Sequence, residues 1–222
     1  MMFDFGTVSI ERVIEMVQSG DFEGLPVGMQ AAAAEAISAY AKGQNPQVID
    51  LLLDRACFAD MMRAATDRND AFAVSTVQTK IDLTNILTAV RLLRMGRGVE
   101  SVLGFFNEAM LEGGMLTRQD FNEWILGGEA HLWSRLYHTS FDWLSEQLAG
   151  KEKTLTQVER YADNFLMHQL RTVKFSAYGS DVLIAYWLAT EYAVRNLRII
   201  LAGHAAGLSP ETIRERVRDG YV

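Results

Sequence analysis

The sequence predicts an all-α fold. Only 3 of its 222 residues are proline, and 49% are hydrophobic against 22% charged, which is the balance of an ordinary globular protein. Alanine, leucine and methionine are frequent, and these residue types favour helices. No segment alternates apolar and polar residues over a convincing length, so we expect essentially no strand.

Start and stop signals place five helices in the first half of the chain. Ser9 and Asp70 are suited to be N-caps, and Gly96 and Gly98 to end a helix. The first helix would carry its apolar side chains (Ile10, Val13, Ile14 and Val17) on one face. The expected ranges are about 10–18, 30–42, 45–67, 70–95 and 98–114.

The second half carries further N-cap signals at Thr117, Thr156 and Ser209. Thr156 is followed three residues later by Glu159, the spacing of a capping box. Pro210 and Glu211 after Ser209 strengthen the last helix start. The expected ranges are about 117–126, 129–149, 156–175, 181–201 and 211–218.

The long helix near the C-terminus organises the last third of the chain. It has no proline or glycine between Asp181 and Leu201, and Gly203 and Gly207 would close it. Residues 182–188 are apolar almost all round, so we expect packing on more than one side. In the short helix that follows, we interpret Arg214, Arg216 and Arg218 as a solvated face.

This C-terminal third resembles the AC39 family, the C subunits of V-type and A-type ATPases (the d subunit in the eukaryotic enzyme). Further similarity with gaps covers most of the chain, including Asp54-Arg55, Phe58 and residues 81–86. The matching C-terminal residues are Glu191, Arg195, Asn196, Leu197, Arg198, Gly203, the segment 207–211, Ile213-Arg214 and Tyr221-Val222.

The resemblance implies a non-catalytic rotor part that couples the axle of the ATP-hydrolysing head to the membrane proteolipid ring. Its partners would be the axle subunits and that ring, and its location the cytoplasm, peripheral to the membrane. The family is built from three similar helical lobes arranged as a funnel, and this chain corresponds to the last two. We place these lobes at residues 1–112 and 113–222, with an earlier lobe missing.

A weak internal repeat agrees with two similar lobes. Asp54-Arg55 and Glu159-Arg160 lie 105 residues apart, and Asn85-Ile86 and Asn196-Leu197 lie 111 residues apart. A polar residue placed alike in two long apolar helices indicates two copies of one helical unit.

Charge and cysteine content exclude several classes of function. A net charge of −7 argues against binding free nucleic acid or anionic lipid, since phosphate recognition needs clustered Lys and Arg. The lone Cys57 forms no intramolecular disulfide and is expected to be a small buried residue. We expect neither a membrane-spanning segment nor a signal peptide.

The sequence offers little catalytic or metal-binding chemistry. It contains no phosphate-binding loop, no His-Glu-x-x-His, no Gly-x-Ser-x-Gly and no Glu-x-x-His pair, so we predict no cofactor and no metal. The four histidines (His131, His138, His168 and His204) are interpreted as packed or hydrogen-bonded side chains. A helical adaptor or metal-binding bundle unrelated to ATPases is the alternative function.

Five polar residues in the apolar helices are candidate site residues. Asp82 and Asn85 lie in one long helix, and Glu191, Arg195 and Arg198 in another. Glu191 precedes Arg195 by four residues, which favours an ion pair on a helix. Buried polar groups are costly unless paired, so the first interpretation is a polar stripe that fixes lobe packing. The second is a cavity lining that contacts the axle tip.

Overall fold

The protein is helical throughout the part of the chain that its structure describes. That structure, a computed structural model, describes residues 8–150 and 152–221. Within these ranges there is no strand, only an isolated bridge between Glu23 and Leu25. The all-α prediction is confirmed. The chain divides into two compact units, Met1–Asp67 and Arg68–Val222. The division between these compact units is not the lobe boundary predicted at 112/113, and that boundary stays a prediction.

The first unit is built on a helical hairpin. Its helices are α1 (Ile10–Ser19), α2 (Val27–Gly43) and α3 (Gln47–Asp67). α2 and α3 pack against each other across a short loop. The small residues of α2 allow this approach: Ala32 and Ala36 are buried, and a Cβ on Gly28 would lie 2.7 Å from Asp60 Oδ1.

Two expectations for the first unit can be compared with the structure. Ser9 caps α1 as predicted, accepting from Arg12 N at 3.3 Å; within α1, Val13, Ile14 and Val17 are exposed and Met16 is buried. The expected burial of Cys57 is wrong, because its side chain is exposed on α3.

The second unit contains the remaining helices and most of the core. The helices are α4 (Ala71–Arg94), α5 (Val99–Ala109), α6 (Arg118–Leu126), α7 (Gly128–Leu136), α8 (Asp142–Leu148), α9 (Leu155–Arg171), α10 (Ser180–Ala205) and α11 (Pro210–Arg216), with a 3₁₀ turn at Thr172–Phe175. Asp70, Thr117 and Ser209 cap α4, α6 and α11 as predicted, each accepting a hydrogen bond from the third residue of its helix.

Helix α4 is the centre of this unit. It packs against α5, α6, α7, α9 and α10, and ten of its residues are buried. The core around it is rich in aromatic rings, with Phe106 and Phe121 at 5.0 Å and Phe141 and Phe165 at 5.1 Å between centroids. Burial of aromatic and aliphatic side chains on this scale is the main stabilising term of the fold.

Three predicted helices in this part of the second unit have different boundaries. α5, expected to reach 114, ends at Ala109. The single helix expected over 129–149 is interrupted between Leu136 and Asp142, and its halves pack against each other. Both Leu136 and Phe141 are fully buried, and the break lets the chain turn so that both face the core. α9 begins at Leu155 instead of 156 and ends at Arg171 instead of 175.

The C-terminal helices also differ from the prediction. α10 continues through Gly203 to Ala205, and Gly207 in the left-handed region (φ 68°) follows it. A Cβ on Gly203 would lie 2.7 Å from Ile213 Cγ1, so this glycine lets α11 approach α10. α11 ends at Arg216. The packing expected on several sides of 182–188 is wrong, because Leu183, Tyr186 and Trp187 are exposed.

Candidate functional site

Asp82 and Asn85 bind the backbone of the segment between α5 and α6. Asp82 accepts hydrogen bonds from Met115 N at 2.8 Å and Leu116 N at 3.2 Å. Asn85 donates to Leu111 O and accepts from Leu111 N, both at 2.9 Å. Both side chains are buried. This is the geometry that the packing interpretation expects for them.

Gly114 makes the approach of this segment possible. A Cβ at this position would lie 2.0 Å from Asp82 Oδ1 and 3.1 Å from Ile81 Cγ2. No real Cβ occupies such a distance, so the segment reaches the carboxylate only because residue 114 has no side chain. Burial raises the pKa of Asp82 to about 6, against the opposing effect of its two backbone N–H donors.

The raised pKa of Asp82 predicts a pH dependence of stability. The folded state binds the proton more tightly than the unfolded state, whose carboxyl has a pKa near 3.8. The free energy of unfolding should therefore fall as the pH rises from about 4 to about 6, by at most about 3 kcal/mol from this group. Asp82→Asn cannot titrate and should lose this dependence.

The measurement is urea unfolding of both proteins between pH 4 and 8. Subtracting the two profiles cancels every other titrating group, so the difference should change between pH 4 and 6 and be flat above pH 7. Parallel profiles would show that Asp82 titrates at its ordinary pKa in the folded protein.

Asn196 on α10 repeats the hydrogen-bonding pattern of Asn85. Its side chain donates to Arg218 O and accepts from Arg218 N, both at 2.9 Å. In both cases a short helix follows the long one: α5 follows α4, and α11 follows α10. The residue directly after the short helix (Met110 or Val217) is extended. The next residue in the chain, Leu111 or Arg218, is the one that the asparagine binds. This shared arrangement supports the internal repeat.

Asp163 on α9 is the centre of a second polar cluster. It accepts hydrogen bonds from Tyr192 Oη at 3.0 Å, Arg195 Nη1 at 3.2 Å and Arg218 Nε at 2.8 Å. Burial, together with the Asp163 charge, raises the pKa of the Tyr192 phenol far above its usual range. Asn164 accepts from Asp219 N at 2.9 Å, so the cluster holds the C-terminal segment against α9 and α10.

The remaining predicted site residues lie on the exposed side of α10. Glu191 is 3.5 Å from Arg195, which confirms the expected ion pair between them. Arg198 is exposed and forms no hydrogen bond or ion pair within the described residues. With Trp187 and Val194, these three residues border a shallow depression of about 360 Å³. Whether they face a partner stays a prediction.

Comparison with known proteins decides the family. The family described as ATP synthase (C/AC39) subunit matches residues 1–216. The chain belongs to this family. No solved structure is significantly similar to it.

Two relatives within the C/AC39 family carry names from ion-translocating ATPases. The C subunit of the V-type sodium ATPase of Enterococcus hirae is 26% identical over 176 residues, covering 79% of this chain and 52% of the relative. The C subunit of the A-type ATP synthase of Halobacterium salinarum is 28% identical over 216 residues, covering 93% of this chain and 58% of the relative. The chain thus spans somewhat more than half the length of these relatives.

The described part of this C/AC39 family member shows no cluster of three or more His, Cys, Asp or Glu side chains arranged for a metal ion. His168 stacks on Trp143 with ring centroids 5.9 Å apart, although it is exposed. No described helix is long and apolar enough to cross a membrane.

Sequence reasoning missed Asp163 and Asn164 and misjudged Arg218. Arg218 was expected on a solvated face, but its side chain is 11% exposed and bonds to Asp163. Arg214 and Arg216 are exposed as expected. The available signal was the Asp163-Asn164 pair within an otherwise amphipathic helix, because polar residues next to a core require partners.

Proposed function

We propose that this chain is a non-catalytic central-stalk subunit of a rotary V/A-type ATPase, coupling the axle of the ATP-hydrolysing head to the membrane proteolipid ring. The observation that carries the proposal is the family match over residues 1–216, together with relatives named as the C subunits of such enzymes. The axle subunits and the ring are its partners, and its place is cytoplasmic, peripheral to the membrane.

The construction of the second unit suits a part that transmits torque. Its helices form one dense core around α4, and packed interiors have low compressibility. The loops between helices are tied down as well, since Asn85 and Asn196 each bind both backbone groups of a residue 26 or 22 positions away. Such cross-links resist sliding of one helix along another.

The test is binding of the full chain to the purified ATPase head from the same genome. We expect 1:1 binding to head complex that carries the axle subunits, and at least about tenfold weaker binding to head complex prepared without them. Detergent-solubilised proteolipid ring should bind independently. Absence of binding to the axle-bearing head, or equal binding with and without the axle, contradicts the proposal.

A further inference from the structure

A row of polar side chains on α9 binds the backbone of the segment at the end of α11 and beyond it. Three of them each bind one backbone group at 2.9 or 3.0 Å: Arg160 binds Glu215 O, Asn164 binds Asp219 N, and Arg171 binds Gly220 O. Steps of four and seven residues keep these side chains on one face of the helix. Their partners follow in the same order, so the segment runs along α9 in the direction of the helix.

Helix α10 contributes a fourth side chain to the same segment. Asn196 donates to Arg218 O and accepts from Arg218 N, both at 2.9 Å. The four side chains thus bind five backbone groups between residues 215 and 220. Such bonds do not depend on which side chains the segment carries, since every residue except proline offers both an N–H and a C=O.

Two side chains of the segment are recognised individually. Arg218 Nε donates to Asp163 Oδ2 at 2.8 Å, and the arginine side chain is only 11% exposed. Tyr221 packs against the core, whereas Asp219 and Gly220 between them are exposed. In peptide recognition, bonds to the peptide backbone give affinity and pockets for individual side chains give specificity. The segment is bound in this way, with the pattern Arg-x-x-Tyr.

The segment is less deeply buried than its counterpart in the other copy of the repeat. Leu111, the counterpart of Arg218, is 4% exposed, whereas Val217 and Arg218 are only partly buried. Water can replace hydrogen bonds at such a site, and segments with few buried apolar contacts open locally at low cost. We therefore expect residues 217–221 to leave their site more readily than the counterpart segment.

We propose that α9 and α10 form a peptide-binding site for an extended protein segment that carries an arginine and, three residues later, an aromatic residue. Residues 217–221 fill this site within the chain, and a partner segment with the same pattern can replace them. Asp163 selects the arginine, because a carboxylate forms strong charge-assisted hydrogen bonds with a guanidinium. Tyr192 and Arg195 donate to the same carboxylate, so it stays in position when the internal segment leaves.

The test is binding of a fluorescently labelled peptide of residues 217–221, with blocked termini, to the full chain by fluorescence polarisation. In the original chain the site is filled from within, so the apparent affinity for added peptide is reduced by the fraction of molecules in which the site is open. Arg218→Ala weakens the internal segment and leaves the site itself unchanged. We expect this variant to bind the peptide with a dissociation constant below about 1 mM, at least about tenfold more tightly than the original chain. Arg216→Ala, the same change on an exposed residue of α11, should bind the peptide as the original chain does.

A second peptide tests what the site recognises. With alanine in place of its arginine, the peptide should bind the Arg218→Ala chain at least about tenfold more weakly, since it loses the ion pair with Asp163. In the original chain, excess arginine peptide should speed hydrogen exchange of the Arg218 and Asp219 amides at least about twofold, because it displaces the internal segment.

The exchange measurement needs no protein variant, so its result is independent of any effect of Arg218→Ala on folding. Absence of peptide binding to Arg218→Ala, equal binding of the two peptides, or amide exchange that the peptide leaves unchanged overturns the proposal. This inference does not rest on the proposed coupling function, which is tested by binding to the ATPase head.

Discussion

Gly114→Ala is expected to lower the free energy of unfolding of the second unit by about 4 kcal/mol. The new Cβ would lie 2.0 Å from Asp82 Oδ1, and the carboxylate cannot move aside without releasing Met115 N and Leu116 N. Overpacking of a core costs about 1–3 kcal/mol. The buried Leu116 N–H left without an acceptor costs about 1–3 kcal/mol more, and the part-buried Met115 N–H adds less.

The measurement is urea unfolding followed by tryptophan fluorescence. All four tryptophans (Trp124, Trp133, Trp143 and Trp187) belong to the second unit, so the signal reports on the unit that carries the change. Gly104→Ala is the matched control. Gly104 lies inside α5 with nothing within 4 Å of an added Cβ, and alanine there should stabilise the protein by about 0.5–1 kcal/mol.

The two substitutions are chemically identical and should differ in sign. If Gly114→Ala stays within about 1 kcal/mol of the original protein, the close approach of the α5–α6 segment to Asp82 is wrong.

Local signals in the sequence were enough to find the helices and most of their starts. The caps at Ser9, Asp70, Thr117 and Ser209 depend on residues within three positions of each other, and such patterns are readable without knowing the fold. Fold class follows from the same local information, because helix propensity and the absence of alternating segments are properties of short windows.

The start of α9 shows where local signals become ambiguous. Thr154 and Thr156 each precede a Gln or Glu by three residues, so both satisfy the capping-box pattern. The structure uses Thr154 with Gln157, and Glu159 instead pairs with Arg91 at 2.7 Å. The two patterns are locally equivalent, and Glu159 finds its partner 68 residues away along the chain, a contact that no window of sequence contains.

The interruption between α7 and α8 could not be predicted for a related reason. No proline or glycine lies between Leu136 and Asp142, and the break follows from burial of Leu136 and Phe141 against the rest of the core. It is reinforced by Ser145 Oγ, which donates to Trp133 O at 2.5 Å. Tertiary packing thus overrides helix propensity at this position.

The candidate site was likewise predictable only in part. Sequence reasoning singled out Asp82 and Asn85 because polar residues in an apolar helix require partners, but it could not name Leu111, Met115 and Leu116 as those partners. Asp163 escaped notice because a charged residue in an amphipathic helix looks solvated until Tyr192 and Arg218 are placed beside it. The sequence shows that a polar side chain in an apolar helix needs a hydrogen-bond partner, and only the fold shows which residue is that partner.

Asn85→Ala is expected to lower the free energy of unfolding by about 3 kcal/mol. The amide of Asn85 satisfies both backbone groups of Leu111, and all of these groups are buried. Alanine would leave a buried N–H and a buried C=O unpaired, each costing about 1–3 kcal/mol. Water cannot compensate without opening the core, since Leu111 is 4% exposed.

Asn196→Ala removes the same pair of bonds at the repeated position and serves as the comparison. The groups that Asn196 binds on Arg218 are only partly buried, so water can replace the lost amide and the expected cost is about 1 kcal/mol. Urea unfolding of both variants should therefore rank Asn85→Ala as the more damaging. An equal loss of unfolding free energy in the two variants would mean that burial does not determine how much these asparagine hydrogen bonds stabilise the fold. A negligible loss in both would mean that the two amides do not hold their segments.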